Sequence, residues 1–376
     1  MADFYVPRSD LAQAIYARTR PDPVLGSASG LFLASPRRTG KSTFLRRDLV
    51  PLLEDEGVLP IYVDLWSDRE ADPGLLIADA IAQTLDRLAS KVEKAVRSVM
   101  PSAIAVGGVE VELASKGSTR TATLTEALVG IGERSGKDVA LIIDEAQHAL
   151  TSKAGLDAIF ALKAARDEMN QRAEGARLYL IFTGSHRDKL TGFVYSHKDP
   201  FFGSAVSDFP KLGRPYVEAV VGALNPRLAG DNQLDIDDVE AAFDLVGHQP
   251  EVLMRLLREH ALGEEGSRGL HRTVTKRASD LRALRWEQHQ SDYGALTELQ
   301  QTVLRVLAEK GSDFAPFTAD TLKLLSEALG RETNAAEVQK ALDALRDKSL
   351  VWRPTRGLYA LEDQDMRDWL RGDQPG

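Results

Sequence analysis

The sequence predicts an α/β protein in which a parallel-sheet core is followed by a mostly helical second half. Three observations predict this. Short apolar strands alternate with helical patterns through the first half, the run "SPRRTGKST" stands where a strand meets a helix, and strand signals vanish after about residue 215.

The strands come first in order. "GLFLAS" (30–35), "LPIYVDLW" (59–66), "DVALIIDE" (138–145), "RLYLIFTGS" (177–185) and "VSDFPKL" (206–212) are short, apolar and rich in β-branched or aromatic residues. Helical patterns at 41–50, 74–99 and 154–174 separate them, and these distances suit parallel crossovers rather than hairpins. The expected product is a doubly wound sheet. "AIAVGGVEVEL" (103–113) places Gly107-Gly108 between two alternating runs, which predicts an inserted β-hairpin.

The run after the first strand carries chemistry. A phosphate-binding loop works because backbone N–H groups between strand and helix converge on phosphate oxygens, aided by the positive end of the helix and a lysine. Residues Pro36, Arg37, Arg38, Thr39, Gly40, Lys41, Ser42 and Thr43 form that loop here, with Lys41 reaching phosphate and the Ser42 hydroxyl placed for Mg²⁺. Ser35 stands at the usual first glycine. It fits if its backbone avoids positive φ.

A second motif supports the first. "VALIIDEAQHAL" ends an apolar strand in Asp144-Glu145, an arrangement that brings one carboxylate to a bound Mg²⁺ and another to the attacking water. Taken alone, the same pair also suits a helix N-cap followed by a first-turn acid.

Together "SPRRTGKST", "ALIIDEAQ" and "LIFTGS" resemble the archaeal-type ATPases of the AAA+/STAND group of P-loop NTPases, and "FYVPRSDL" is similar to that group's entry segment beside the adenine. The resemblance covers about residues 4–290. It implies a P-loop NTPase core, ATP and Mg²⁺ as cofactors, Lys41 on phosphate, Ser42 and Asp144 on the metal, and Glu145 polarising water. Ser185, or Thr183 before it, is the implied polar sensor. Departures matter too: Ser204 stands where relatives carry an arginine finger, and Glu251 where some carry a sensor arginine. Arg187, Arg214 and Arg255 are the nearby alternatives.

The C-terminal part has its own pattern. Amphipathic helices at 296–311, 318–330 and 335–350, with "LVWRP" and "GLYALED" flanking Thr355-Arg356-Gly357, predict a winged helix. Gln339, Lys340, Arg346 and Lys348 are available to a DNA groove, with Arg353 and Arg356 on the wing. Before it, Arg268, Arg272, Lys276, Arg277, Arg282 and Arg285 make 268–285 the most basic stretch, opposed there only by Asp280 and Glu287.

Charge and composition limit these readings. A net charge of -9 excludes a nucleic-acid coat held by bulk electrostatics, so any DNA contact is local. The absence of cysteine excludes disulfides and thiolate chemistry, and the few histidines have no ligand spacing. Without a signal-like start or an apolar run near roughly 18 residues, the chain is expected in the cytoplasm. The expected domains are an ATPase core (1–214), a helical lid with the basic linker helix (215–290) and a winged helix (291–376). Two functions stay open: a slow ATPase switch that binds DNA, and an ATP-gated switch for a protein partner or a homo-oligomer.

Overall fold

The computed structural model describes residues 4–21, 29–88, 103–106, 109–112, 121–172, 174–228, 233–261, 270–311, 314–354 and 357–372. These form two compact units. One comprises residues 7–35 and 42–209, the other 1–6, 36–41 and 210–376.

The first unit is built on a five-stranded sheet. Strands β1 (Leu31–Ala34), β2 (Leu59–Asp64), β6 (Val139–Asp144), β7 (Leu178–Gly184) and β8 (Val206–Asp208) lie in the order β2-β6-β7-β1-β8. Every pairing is parallel. Alternate residues of these strands enter two separate cores, as a sheet covered on both faces requires. Phe32, Ile61, Val63, Leu141, Ile143 and Phe182 face one core, with Ile77, Ile81, Leu128 and Leu162 packed against them. Those partners come from α4 (Pro73–Leu88), α5 (Leu124–Ser135) and α6 (Lys153–Gln171). Leu31, Leu33, Ala140, Ile142 and Ile181 face the other core with α1 (Ser9–Thr19), α2 (Lys41–Phe44) and α3 (Val50–Asp55). The result is a helix–sheet–helix sandwich.

Between α2 and α3 the helix passes through a π-helical turn, Leu45–Leu49. The predicted helix thus runs on past residue 50. The turn places Asp48, whose carboxylate accepts the Arg8 backbone N–H at 3.0 Å and so ties the entry to α1 to the loop helix. The inserted strands form a small sheet of order β4-β3-β5, from β3 (Ala103–Val106), β4 (Val109–Glu112) and β5 (Thr121–Thr123). The first two are antiparallel, as a hairpin demands, while the Gly107-Gly108 turn lies outside the described residues. The far end of the predicted 74–99 helix lies outside them too.

The final strand is shorter than its apolar run suggests. It ends at Asp208, just before Phe209 donates its N–H to the Ala34 carbonyl at 2.7 Å and Pro210 follows. A short helix, α7 (Arg187–Thr191), follows β7.

The second unit is helical with one two-stranded hairpin. Around Val217, Val220, Phe243, Leu253, Leu256 and Val274 pack α8 (Arg214–Leu224), α9 (Ile236–Leu245), α10 (Pro250–Ala261) and α11 (Leu270–Gly294). Val6 packs against the same cluster. A separate core holds Val303, Leu307, Phe314, Leu342, Val351 and Met366. It joins α12 (Glu298–Lys310), α13 (Ala319–Leu329), α14 (Ala335–Asp347) and α15 (Gln364–Arg371). The hairpin pairs β9 (Val351–Trp352) with β10 (Ala360–Leu361) antiparallel, and its tip, Thr355-Arg356, is outside the described residues.

Candidate functional site

The phosphate-loop motif occupies the turn from β1 into α2. Ser35 is 1% exposed, and its N–H donates to the Gly184 carbonyl at 3.0 Å, extending the β1–β7 ladder by one bond. It is absent from the residues with positive φ. A side chain is therefore tolerated there. The left-handed positions fall later, at Arg38 (φ 64°) and Gly40 (φ +87°). At Gly40 the conformation itself calls for glycine, since a Cβ would meet only Leu212 Cδ1 at an ordinary 3.5 Å. The Thr39 hydroxyl donates to the Pro36 carbonyl at 2.8 Å and closes the turn. Arg37, Arg38 and Thr43 are exposed, Pro36 and Gly40 half-buried, and Lys41 buried at the start of α2.

Asp144, at the C-terminal end of β6, has no solvent exposure. A buried carboxylate needs donors, and four of those on this one are clear. Its Oδ2 accepts the Ser42 hydroxyl at 2.5 Å and the Tyr62 hydroxyl at 2.9 Å. Its Oδ1 accepts the Thr183 hydroxyl and the Glu145 backbone N–H at 3.0 Å. Strand order explains the meeting: Tyr62 comes from β2 and Thr183 from β7, the two neighbours of β6. Burial, and then the adjacent Asp144 charge, push the Tyr62 phenol well above its usual range, so the hydroxyl keeps its proton and donates.

Glu145 leaves the strand in a left-handed conformation, φ 54° and ψ 41°, and makes no capping bond to the helical turn that follows. It is not an N-cap. Its Oε2 accepts the Gln147 side-chain amide at 2.5 Å and the Ser185 hydroxyl at 2.8 Å. The same amide lies 3.2 Å from Ser185 Oγ, and His186 Nδ1 lies 3.0 Å from that oxygen. Gln147 is 3% exposed and packs so closely on β7 that a Cβ at Gly184 would sit 2.3 Å from its Oε1. The structure thus brings Ser42, Asp144 and Thr183 together, and beside them Glu145 with Ser185.

Tyr62, Gln147 and His186 were not singled out from sequence. Gln147 stood in the quoted "DEAQ" run, whereas nothing local marks Tyr62; it becomes visible only once β2 is known to lie beside β6.

The alternative arginines are engaged. Arg187 donates to Asp208 at 2.6 Å and is mostly buried, while Arg214 is shared by Glu218, Asp237 and Glu240. Arg255 lies 3.9 Å from Glu259.

The basic stretch needs correction. Arg268 is outside the described residues, and Arg272, Lys276 and Arg277 are exposed on α11. Arg282 and Arg285, in contrast, face Asp365 of α15 at 3.5 and 3.9 Å, so acids far along the chain oppose them besides Asp280 and Glu287. On α14, Lys340 and Lys348 are exposed, Arg346 lies 3.8 Å from Asp343, and the Gln339 amide donates to Asp343 at 2.8 Å. Arg353 lies over the Tyr359 ring.

No family model and no curated protein matches the chain. Solved structures do. The Walker-type ATPase of Pyrococcus abyssi matches with a TM-score of 0.55 at 16% identity, over 98% of this chain and 96% of its own. The ORC2 protein of Aeropyrum pernix, in its ADP form, matches with a TM-score of 0.52 at 14% identity, over 99% and 97%. This chain therefore has the fold of these two proteins, a parallel-sheet P-loop core carrying a helical C-terminal half.

Proposed function

We propose that the chain binds ATP with Mg²⁺ in its phosphate loop and hydrolyses it slowly, as a switch whose C-terminal part contacts DNA. The observation that carries this reading is the Ser42–Asp144 hydrogen bond at 2.5 Å, with Glu145 next in the chain held by Ser185. A hydroxyl and a buried carboxylate side by side are the oxygen donors a hexacoordinate Mg²⁺ takes from protein when phosphates and water supply the rest. They fit the ion. When bound, it would neutralise phosphate charge from Ser42 and Asp144.

The chain's own residues do the remainder. Loop N–H groups and Lys41 would hold the phosphates, and Glu145 would orient the attacking water and take its proton. Ser185, by its bond to Glu145, would align that carboxylate. The two fold neighbours are a Walker-type ATPase and a protein solved in an ADP form, which agrees with a nucleotide ligand. No helix among the described residues is long and apolar enough to cross a membrane, in keeping with a cytoplasmic switch. The proposed domains are the core at 1–214, a lid and linker helix at 215–290, and a winged helix at 291–376.

Slow turnover follows from Ser204 and Glu251. An arginine at the transferring phosphate is worth roughly a thousandfold or more, and Arg187 and Arg214 are committed to acids. The expected rate is on the order of one turnover per minute or less. Turnover and nucleotide calorimetry, with and without DNA, test this. Glu145→Gln should retain ATP affinity and lose turnover at least a hundredfold, and Lys41→Ala should lose most affinity; equal ATP affinity in wild type and Lys41→Ala would sink the site. Unstimulated turnover with no DNA binding would favour the protein-partner or homo-oligomer reading.

A further inference from the structure

One oxygen of Asp144 serves two hydroxyls from different parts of the chain. Oδ2 accepts the Ser42 hydroxyl at 2.5 Å and the Tyr62 hydroxyl at 2.9 Å, while the Thr183 hydroxyl and the Glu145 N–H donate to Oδ1. A carboxylate with no solvent exposure takes its direction from the protein groups that donate to it. Ser42 is itself an intended metal ligand at the mouth of the loop, so it is a poor fixed reference for Oδ2. Tyr62 is a better one.

The fold holds Tyr62 from two sides. In the β2–β6 ladder it lies opposite Ile142, and its hydroxyl reaches two residues further along β6, to Asp144. It stands on the face of the sheet that α2 covers, packed with the cluster of Ile142 and Ile181. The Arg46 guanidinium lies over its ring, 4.7 Å from the centroid. Arg46 is also drawn to Asp64, two residues on in β2, at 3.6 Å, and Asp64 is anchored by accepting the Trp66 N–H at 2.9 Å. Ser42 and Arg46 are four residues apart, about one turn, so the same side of the loop helix supplies both. That helix therefore meets the sheet at two points, Ser42 on the carboxylate and Arg46 on the ring. The Tyr62 hydroxyl joins them.

We propose that Tyr62 is a positioning residue for the metal: it fixes the Asp144 oxygen that holds the Ser42 hydroxyl, and Arg46 in turn fixes Tyr62. The proposal rests on the ATP–Mg²⁺ reading above and adds two residues that lie outside both of its sequence motifs. While Asp144 holds the hydroxyl hydrogen, the Ser42 oxygen keeps lone pairs for a cation. Without the phenol, the carboxylate stays tethered through Oδ1 but Oδ2 can swing, and the Ser42 hydroxyl swings with it. Loop N–H groups and Lys41, which would hold the phosphates, are not what Tyr62 donates to. Its loss should be felt only when the metal is present.

The test measures affinity of the full chain for a non-hydrolysable ATP analogue by calorimetry, in excess Mg²⁺ and in EDTA, and takes the ratio of the two. In Tyr62→Phe, which keeps the ring beneath Arg46, the ratio should fall by about tenfold or more, the usual loss when a group behind a metal ligand is removed, with affinity in EDTA unchanged. Arg46→Gln leaves the hydroxyl but frees the ring; it should lower the ratio the same way by a few-fold, and it guards against a Tyr62→Phe variant that does not fold. A residue that only packs would lower the melting temperature and leave the ratio alone. A wild-type ratio in either folded variant, or equal losses with and without Mg²⁺, would overturn the positioning role and leave the nucleotide site standing. No binding of the analogue by folded wild type would overturn both.

Discussion

Glu145 occupies a left-handed conformation that a non-glycine residue adopts at a cost on the order of 1–3 kcal/mol. What holds it is visible: the Gln147 amide and the Ser185 hydroxyl both donate to Oε2. Without Gln147 the carboxylate loses the shorter of these two bonds and the strained backbone can relax. Gln147→Leu should therefore lower kcat by about tenfold to a hundredfold while leaving ATP affinity unchanged, because small misplacements of a reacting group cost that much. Gly184→Ala should reproduce the effect from the opposite strand, since its Cβ would occupy the place of Gln147 Oε1. A rise in KM with constant kcat in either variant would mean that the pair shapes binding and not the carboxylate. Much of this site is written in contiguous residues: Lys41 and Ser42 sit in one motif, Asp144 and Glu145 in another. Tyr62 is not, because its meeting with Asp144 depends on β2 and β6 lying side by side although they are far apart in sequence.

At the scale of elements, caps decide how firmly short helices hold. The N-terminus of α14 is closed by a reciprocal box in which Asn334 accepts the Glu337 N–H at 3.0 Å and Glu337 accepts the Asn334 N–H at 3.2 Å. Asn334→Ala should cost about 1 kcal/mol in chemical denaturation and leave ATP turnover alone. The core strands were legible because their apolar runs are buried on both faces. Several helices were not, α1 and α7 among them, and two others show why. In α5 the periodic pattern is interrupted by Gly130 and Gly132, the second lying tight against Ala176. In α15 only Met366, Trp369 and Leu370 are apolar among eight residues, so the helix depends on its cap at Asp363 and on packing that no local window reveals. That omission also hid the acids facing Arg282 and Arg285.

For the whole molecule, the proposed ligand should be readable as stability. A nucleotide that binds only the folded chain adds about 2.7 kcal/mol at a hundredfold excess over its Kd, so ATP with Mg²⁺ should raise the thermal midpoint by a few degrees, and Lys41→Ala should erase the shift. Omitting Mg²⁺ should shrink the shift where Ser42 and Asp144 hold the ion. The sheet's order has a further consequence, for how copies of the chain avoid one another. β2 is an outermost strand of this sheet, and Leu59 and Leu65 donate their N–H groups to the carbonyls of Asp138 and Asp144 on the β6 side, so the alternate positions 60, 62 and 64 point their backbone the other way. A strand from another molecule would seek donors along that side. Proline at 60 offers none, and Asp64, paired there with Arg46 at 3.6 Å, places charge at the far end. The border of the sheet is thereby closed to accretion at both ends, and Pro60→Val should make heat-stressed protein more prone to form sheet-rich aggregates.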